Sequence, residues 1–194
     1  TLSNWQELLN VLSAVMDIPA SLIMKVSAGQ IEVFLASDNV DNPYEAGMCE
    51  KLKGELYCET VIEQQDELLV PNALLDPNWD HNPDIALGMV SYLGYPLCWP
   101  GGRPFGTLCV LDRKENHYSD DHRQLLQKMS TSIESALELQ SKNFELAESQ
   151  KELLKNMNQL SVEVDAREKV EAERELLTSN LHEASRQAGK AEVA

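Results

Sequence analysis

Basic residues are scarce in this chain. Its 194 residues hold 16 Lys+Arg against 32 Asp+Glu, a formal net charge of −16. The imbalance is concentrated: residues 1–140 carry 8 basic and 21 acidic side chains, residues 141–194 carry 8 and 11. An acidic globular part repels nucleic acid and anionic membrane surfaces, so no nucleic acid is expected as a partner. Cysteine is sparse too. Cys49, Cys58, Cys98 and Cys109 show no CxxC spacing, which argues against a disulfide framework or zinc site and fits reduced thiols in a cytoplasmic domain. No apolar run reaches the ~20 residues of a membrane span, and no basic-then-apolar leader is visible. The chain begins at Thr1 rather than Met, and both ends read as cut from a longer protein whose remainder could be membrane-associated.

Catalytic motifs are missing as well. There is no P-loop, GxGxxG, HExxH or nucleophile elbow, so no catalytic residue and no enzymatic activity are expected in this stretch. "GGRP" is too short for a phosphate cradle and reads as a turn. Of the four histidines, His117 and His122 flank a helix start, and His182 lies far along a charged helix. His81, in "NWDHNP", could ligate a metal or haem iron, but a surface loop accounts for it more simply. No metal and no cofactor is assigned.

What is present divides into two parts, residues 1–118 and 119–194. In the first, "SNWQELLNVLSAVM" places Trp5, Leu8, Leu9, Leu12, Val15 and Met16 on one helical face, with Ser3 and Gln6 as a capping box. "SLIMKV" and "IEVFLAS" read as strands of a hairpin turned by "SAGQ". "YEAGMCEKLKG" reads as a helix closed by Gly54. "ELLVPNA" is a short strand stopped by Pro71, and "LLDPNWDHNPD" is loop. "SYLGYPLCW" and "FGTLCVLD" form a second hairpin around "PGGRP". Trp99 opposite Phe105 would place Cys98 and Cys109 on opposite faces of the sheet, arguing against a mutual bond. Hairpins imply antiparallel pairing, so the expected fold class is α+β, a central antiparallel sheet flanked by helices.

The second part opens at "YSDDHRQLLQKM", where Ser119 is a good N-cap and Asp120 and Asp121 suit the helix dipole. From there Pro is absent and Gly189 is the one glycine. The apolar positions form a narrow seam: Ile133, Leu137, Phe144, Leu153, Met157, Leu160, Val164, then Leu177, Leu181 and Ala184. For most of its length the steps alternate between four and three, the heptad pattern of a coiled coil. Near Val164–Val170, around Arg167, two threes follow each other, a local overwinding. So narrow a seam predicts a parallel homodimer rather than a solvated single helix.

The run "YCETVIEQQDELLVPNALLDPNWDHNP…SYLGYPLCWPGGRPFGTLCVLD", followed by "YSDDHRQLL", resembles a GAF domain over roughly Thr1–Leu139, through the order and spacing of its pieces. The resemblance implies a sheet with helices on both sides, dimerisation through terminal helices, and a small-molecule pocket between the sheet and the segment covering it. The matching positions include Asn72, Trp79, Asn82, Leu87, Met89, Tyr92, Pro96, Cys98 and Thr107. Trp79 and Tyr92 would be aromatic walls, and Asn72, Asn82 and Thr107 orienting groups. A filled core without a cavity is the competing reading. The Asn-Lys…Phe…Asp-Glu signature of cyclic-nucleotide-binding members is missing, no Cys precedes a His as in bilin-binding members, and the cysteine set of methionine-sulfoxide-reducing members is not reproduced.

The tail is informative in another way. "LHEASRQAGKAEVA" resembles the helix entering the dimerisation and phosphotransfer domain of certain sensor histidine kinases. That implies a downstream kinase domain in the same chain and a sensory role in two-component signalling. His182–Glu183 could be taken for the phospho-acceptor pair itself, but the Pro usual after such a pair is missing, and the flanking residues fit the upstream position. A ligand-free dimerisation spacer, or a regulatory module of a diguanylate cyclase, are the alternatives.

Overall fold

The computed structural model describes residues 2–191, with the side chains of residues 2–183. Helix α1 (Leu2–Met16) leads into strands β1 (Ala20–Ser27), β2 (Gln30–Ala36) and β3 (Cys49–Lys51). Helix α2 (Tyr57–Gln64), strand β4 (Leu68–Val70), two 3₁₀ turns (Ala73–Leu75 and Pro83–Leu87), β5 (Ser91–Cys98) and β6 (Pro104–Asp112) follow, then helix α3 (Asp120–Ala191). The strands make one antiparallel sheet in the order β3-β2-β1-β6-β5-β4. This is the expected α+β class.

Alternation along β1 creates two faces. Ala20, Leu22, Met24 and Val26 point to one face and Ile23 to the other. The first face is covered by α2 through Tyr57, Cys58 and Val61. The second is covered by α1 through Trp5, Leu9, Leu12 and Met16, and by α3 through Leu126, Ile133 and Leu137. A bulge between Ile23 and Met24 leaves Phe34 without a partner on β1. Phe34 thereby joins the second face, edge-on to Phe105 at 5.8 Å, a geometry aromatic pairs favour. Gly106 answers a different demand: a Cβ there would run into the Met24 backbone on the neighbouring strand.

Three local expectations are corrected. The stretch 44–54 is not a helix. Gly47 takes φ +93° and Gly54 φ +83°, and Val33 N–H donates to Met48 O at 2.8 Å, so the segment lies along the sheet edge as β3. Ser3 lies inside α1 and does not cap it; Gln6 instead donates to Ala36 O at 2.7 Å, tying α1 to β2. In the β5–β6 hairpin a bulge at Leu97/Cys98 shifts the register, so Cys98 pairs with Pro104 and Cys109 with Gly94. Trp99 is bonded through its N–H to Arg103 O rather than paired with Phe105. The two cysteines are thus kept apart along the strands, and all four cysteines are free thiols.

The chain divides into two units, Thr1–Ser141 and Lys142–Ala194. Ile133 and Leu137, read as seam positions, are buried in the core of the first unit at 1 % exposure. They are therefore closed to a partner helix. In the second unit Phe144, Leu153, Met157, Leu160, Val164, Leu177 and Leu181 are all exposed. The side chain of Ala184 lies outside the described residues. No helix among the described residues is long and apolar enough to cross a membrane.

This division of labour is measurable. Ile133→Ala removes buried volume and is expected to destabilise the sheet domain by about 2–4 kcal/mol. Leu160→Ala is expected to leave the same transition within about 0.5 kcal/mol. Urea unfolding followed by tryptophan fluorescence reports only the first unit, because Trp5, Trp79 and Trp99 all lie there.

Candidate functional site

A cavity of about 370 Å³ opens on the α2 face of the sheet, a volume in the range of small-molecule sites. Its floor is Met24 of β1 with Ile31 and Val33 of β2; its sides are the start of α2 (Leu56, Tyr57, Cys58) and the second 3₁₀ turn (Pro83, Asp84, Leu87). Tyr44, Met48, Cys49 and Glu50 close it from the β2–β3 segment.

The walls are held by local hydrogen bonding. The Glu59 carboxylate accepts from the N–H groups of Gly54 and Leu56, both at 2.9 Å, satisfying backbone donors otherwise orphaned at the start of α2. This fixes where Tyr57 and Cys58 begin. Asn82 accepts from Asp84 N–H at 2.9 Å and donates to Glu55 O at 3.0 Å. It caps the 3₁₀ turn and clips it to the segment before α2.

Tyr57 lies between two rings, 4.6 Å from Tyr92 and 4.7 Å from Trp79. Its hydroxyl is buried without a hydrogen-bond partner among the described residues. Burial and the nearby Asp84 raise its pKa. The Tyr44 hydroxyl donates to Asp84 Oδ1 at 2.7 Å. The Asp84 carboxyl is pushed up, mainly by loss of solvent and further by Glu50, with the Tyr44 hydrogen bond opposing. In the same wall, the Cys58 thiol is held from behind by the Cys109 thiol, by the Thr107 hydroxyl at 3.2 Å and by Tyr92. These donors lower its pKa, the Cys109 contact foremost, while Cys109 is raised by the same contact.

Of the nine pocket residues expected from the sequence, Leu87 lines the cavity. Tyr92, Met89 and Thr107 sit in the core behind it, and Trp79 backs Tyr57. Asn82 frames the wall as described. Asn72 caps the first 3₁₀ turn, accepting from Leu74 N–H at 3.1 Å, and donates to Glu115. Pro96 is paired with Thr107 on β6 and does not line the cavity. Cys98 is also away from it. Its thiol donates to Gln65 Oε1 at 2.9 Å, and its N–H donates to Glu134 Oε1 on α3 at 2.8 Å. The polar groups expected to orient a ligand are engaged in the fold itself. Most of the lining was missed, including Met24, Ile31 and Val33 of the floor, Tyr44, Met48, Cys49 and Glu50 of the β2–β3 segment, and Leu56, Tyr57 and Cys58 at the start of α2. The even-numbered alternation of β1 could have pointed to Met24, and the "YC" pair at the α2 start to Tyr57.

A second, shallower and polar depression lies where α3 begins. There Arg123 pairs with Glu67 at 2.6 Å, and Tyr95 donates to the same carboxylate. His81 is exposed and pairs with Asp80. Among the described residues no group of three or more His, Cys, Asp or Glu is placed to hold a metal ion.

An antiparallel sheet with helices on both faces and a pocket under one of them is the architecture of a small sensory or regulatory module. The GAF domain family matches residues 3–137, and the chain belongs to it. No curated protein matches the chain in sequence. Among solved structures, a far-red cyanobacteriochrome photoreceptor is similar at a TM-score of 0.58 and 12 % identity, over 69 % of this chain and 84 % of that one. The free methionine-R-sulfoxide reductase of Neisseria meningitidis aligns at 0.57 and 13 %, over 70 % and 76 %. A domain assigned to a two-component sensor histidine kinase protein of Sinorhizobium meliloti 1021 aligns at 0.52 and 12 %, over 75 % and 94 %. At these identities the likeness is one of fold.

Asp84 gives a pH prediction. Its folded pKa is raised, so between roughly pH 4 and that raised value the folded state holds more protons than the unfolded chain. Stability contributed by the protonated group is complete below roughly pH 4 and is lost as pH rises through the folded pKa. Asp84→Asn keeps an acceptor for Tyr44 and removes the loss. The variant is expected to melt higher than the parent at neutral pH, with the difference shrinking towards pH 4, in calorimetric scans across that range. A constant difference would mean that the carboxyl is not desolvated.

Proposed function

We propose that the chain is the sensory and regulatory module of a two-component sensor histidine kinase, a cytoplasmic homodimer that passes occupancy of the α2-face cavity to a kinase domain downstream. Residues 1–118 are the sensory domain and residues 119–194 the connecting helix. The observation carrying this reading is the change of environment along α3. Leu126, Ile133 and Leu137 are core residues, whereas Phe144, Leu153, Met157, Leu160, Val164, Leu177 and Leu181 leave large apolar side chains in solvent at heptad-like spacing. Such a seam is buried by a second identical helix in register. The resemblance of "LHEASRQAGKAEVA" to the entry helix of kinase phosphotransfer domains supports the kinase output over a cyclase. An open cavity of about 370 Å³ with a mainly apolar lining favours a ligand-responsive module over a spacer.

The route from cavity to helix is short. A ligand against Tyr57 and Cys58 bears on the first turn of α2. The last turn of α2 is followed by Gln65, which accepts the Cys98 thiol, and Cys98 N–H binds Glu134 on α3. Glu67, two residues on, pairs with Arg123 in the first turn of α3. A displaced α2 therefore moves contacts at two levels of α3. In the paired helix such a displacement becomes a change of packing, least costly at the irregular step near Arg167. Arg167 there donates to Glu163 at 2.8 Å on its own helix.

Two measurements test this. Sedimentation equilibrium of the chain should give a dimer, and Leu160→Glu with Val164→Glu should give a monomer. In the second, the chain is fused to the phosphotransfer and ATP-binding domains of a histidine kinase through inserts of one to seven residues. Autophosphorylation should rise and fall with insert length and recover at seven, since the heptad phase sets the packing. A monomeric parent chain, or activity indifferent to insert length, would overturn the reading.

A further inference from the structure

The cavity has an electrical sign. Its lining holds two carboxylates, Asp84 and Glu50, and no Lys, Arg or His. Asp84 is the inner one. Tyr44 occupies one of its oxygens, and no basic side chain among the described residues is paired with it. A carboxylate withdrawn from water without a counter-charge is unfavourable, and the cost falls when a cation binds it. The Tyr57 hydroxyl is sealed in the core beside the cavity, without a partner among the described residues. The remaining walls are apolar: Met24, Ile31, Val33, Leu56 and Leu87.

Resting on the pocket reading above, we propose that the cavity is a site for a small organic ammonium ion, an amine whose compact aliphatic or aromatic body packs on Met24, Ile31 and Val33 while its nitrogen binds Asp84. The chemistry assigns each part. An ammonium group brings donors only, matching the Asp84 oxygen that Tyr44 leaves free. That bond is charge-assisted on both sides, which places it among the stronger hydrogen bonds. Glu50 at the exposed rim attracts the same charge on entry. The body has only apolar wall to meet, so a highly hydroxylated amine, such as an amino sugar, would leave its hydroxyls unpaired.

The test uses three probes of similar shape and different charge, phenethylamine, phenethyl alcohol and phenylacetate, titrated calorimetrically into the full chain at neutral pH. The amine is expected to bind at least about tenfold more tightly than the alcohol, and phenylacetate to give no binding. In Asp84→Asn the amine should lose about that factor while the alcohol is unchanged, which also shows that the variant's cavity is intact. If amine and alcohol bind alike, or if Asp84→Asn weakens both equally, the ammonium assignment falls and the pocket stands. Preferential binding of phenylacetate would overturn the assignment outright. If none of the three binds, the pocket reading fails together with it.

Discussion

The burial of Leu126, Ile133 and Leu137 against the sheet is the contact on which the rest of the molecule depends. It makes the first turns of α3 part of the domain core. Without it α1 alone would cover that face, and the apolar row of Ile23, Leu93, Leu97, Leu108 and Val110 would be partly open to water. The same contact gives the other face its meaning. The α2 side carries the cavity, the α3 side carries the helix, and the sheet between them is one close-packed layer. A shift of strand or helix on one side has to be accommodated on the other.

Much of this was legible in the sequence because it is written in local chemistry. The two hairpins announce themselves through alternation and through Gly29, Gly101 and Gly102, which take φ of +82° to +87°. Pro71 ends β4, and Ser119 starts α3 through its bond to His122 N–H. The failures share a different cause. Residues 44–54 have a helix-like composition, but the edge of β2 offers hydrogen-bond partners that no local pattern encodes. Ile133 and Leu137 continue the spacing of the coiled-coil seam, so periodicity alone does not show where the helix changes partner. Asn72 and Thr107 are polar residues near a pocket, yet each is engaged by the fold, and only the network reveals it.

The cavity and the helix are joined by polar contacts placed on an otherwise apolar frame. The Cys98 link to Gln65 and Glu134, and the Arg123–Glu67–Tyr95 cluster, lie at the margins of the sheet, where they are partly hydrated. Contacts of this kind rearrange at little cost compared with repacking Leu108 or Leu93. The fold therefore combines a stiff layer with adjustable margins, an arrangement suited to converting a small movement of α2 into a change at α3.

The acid-only lining has a consequence for fidelity. Carboxylates and phosphates are common charged groups among small metabolites, and each would approach Asp84 and Glu50 against a repulsive field. A receptor can discriminate by rejecting competitors as well as by gripping its ligand. Here rejection needs no contact at all. A module of the kind proposed would stay quiet in a crowded anionic solution, because its competitors are turned away before they reach the wall.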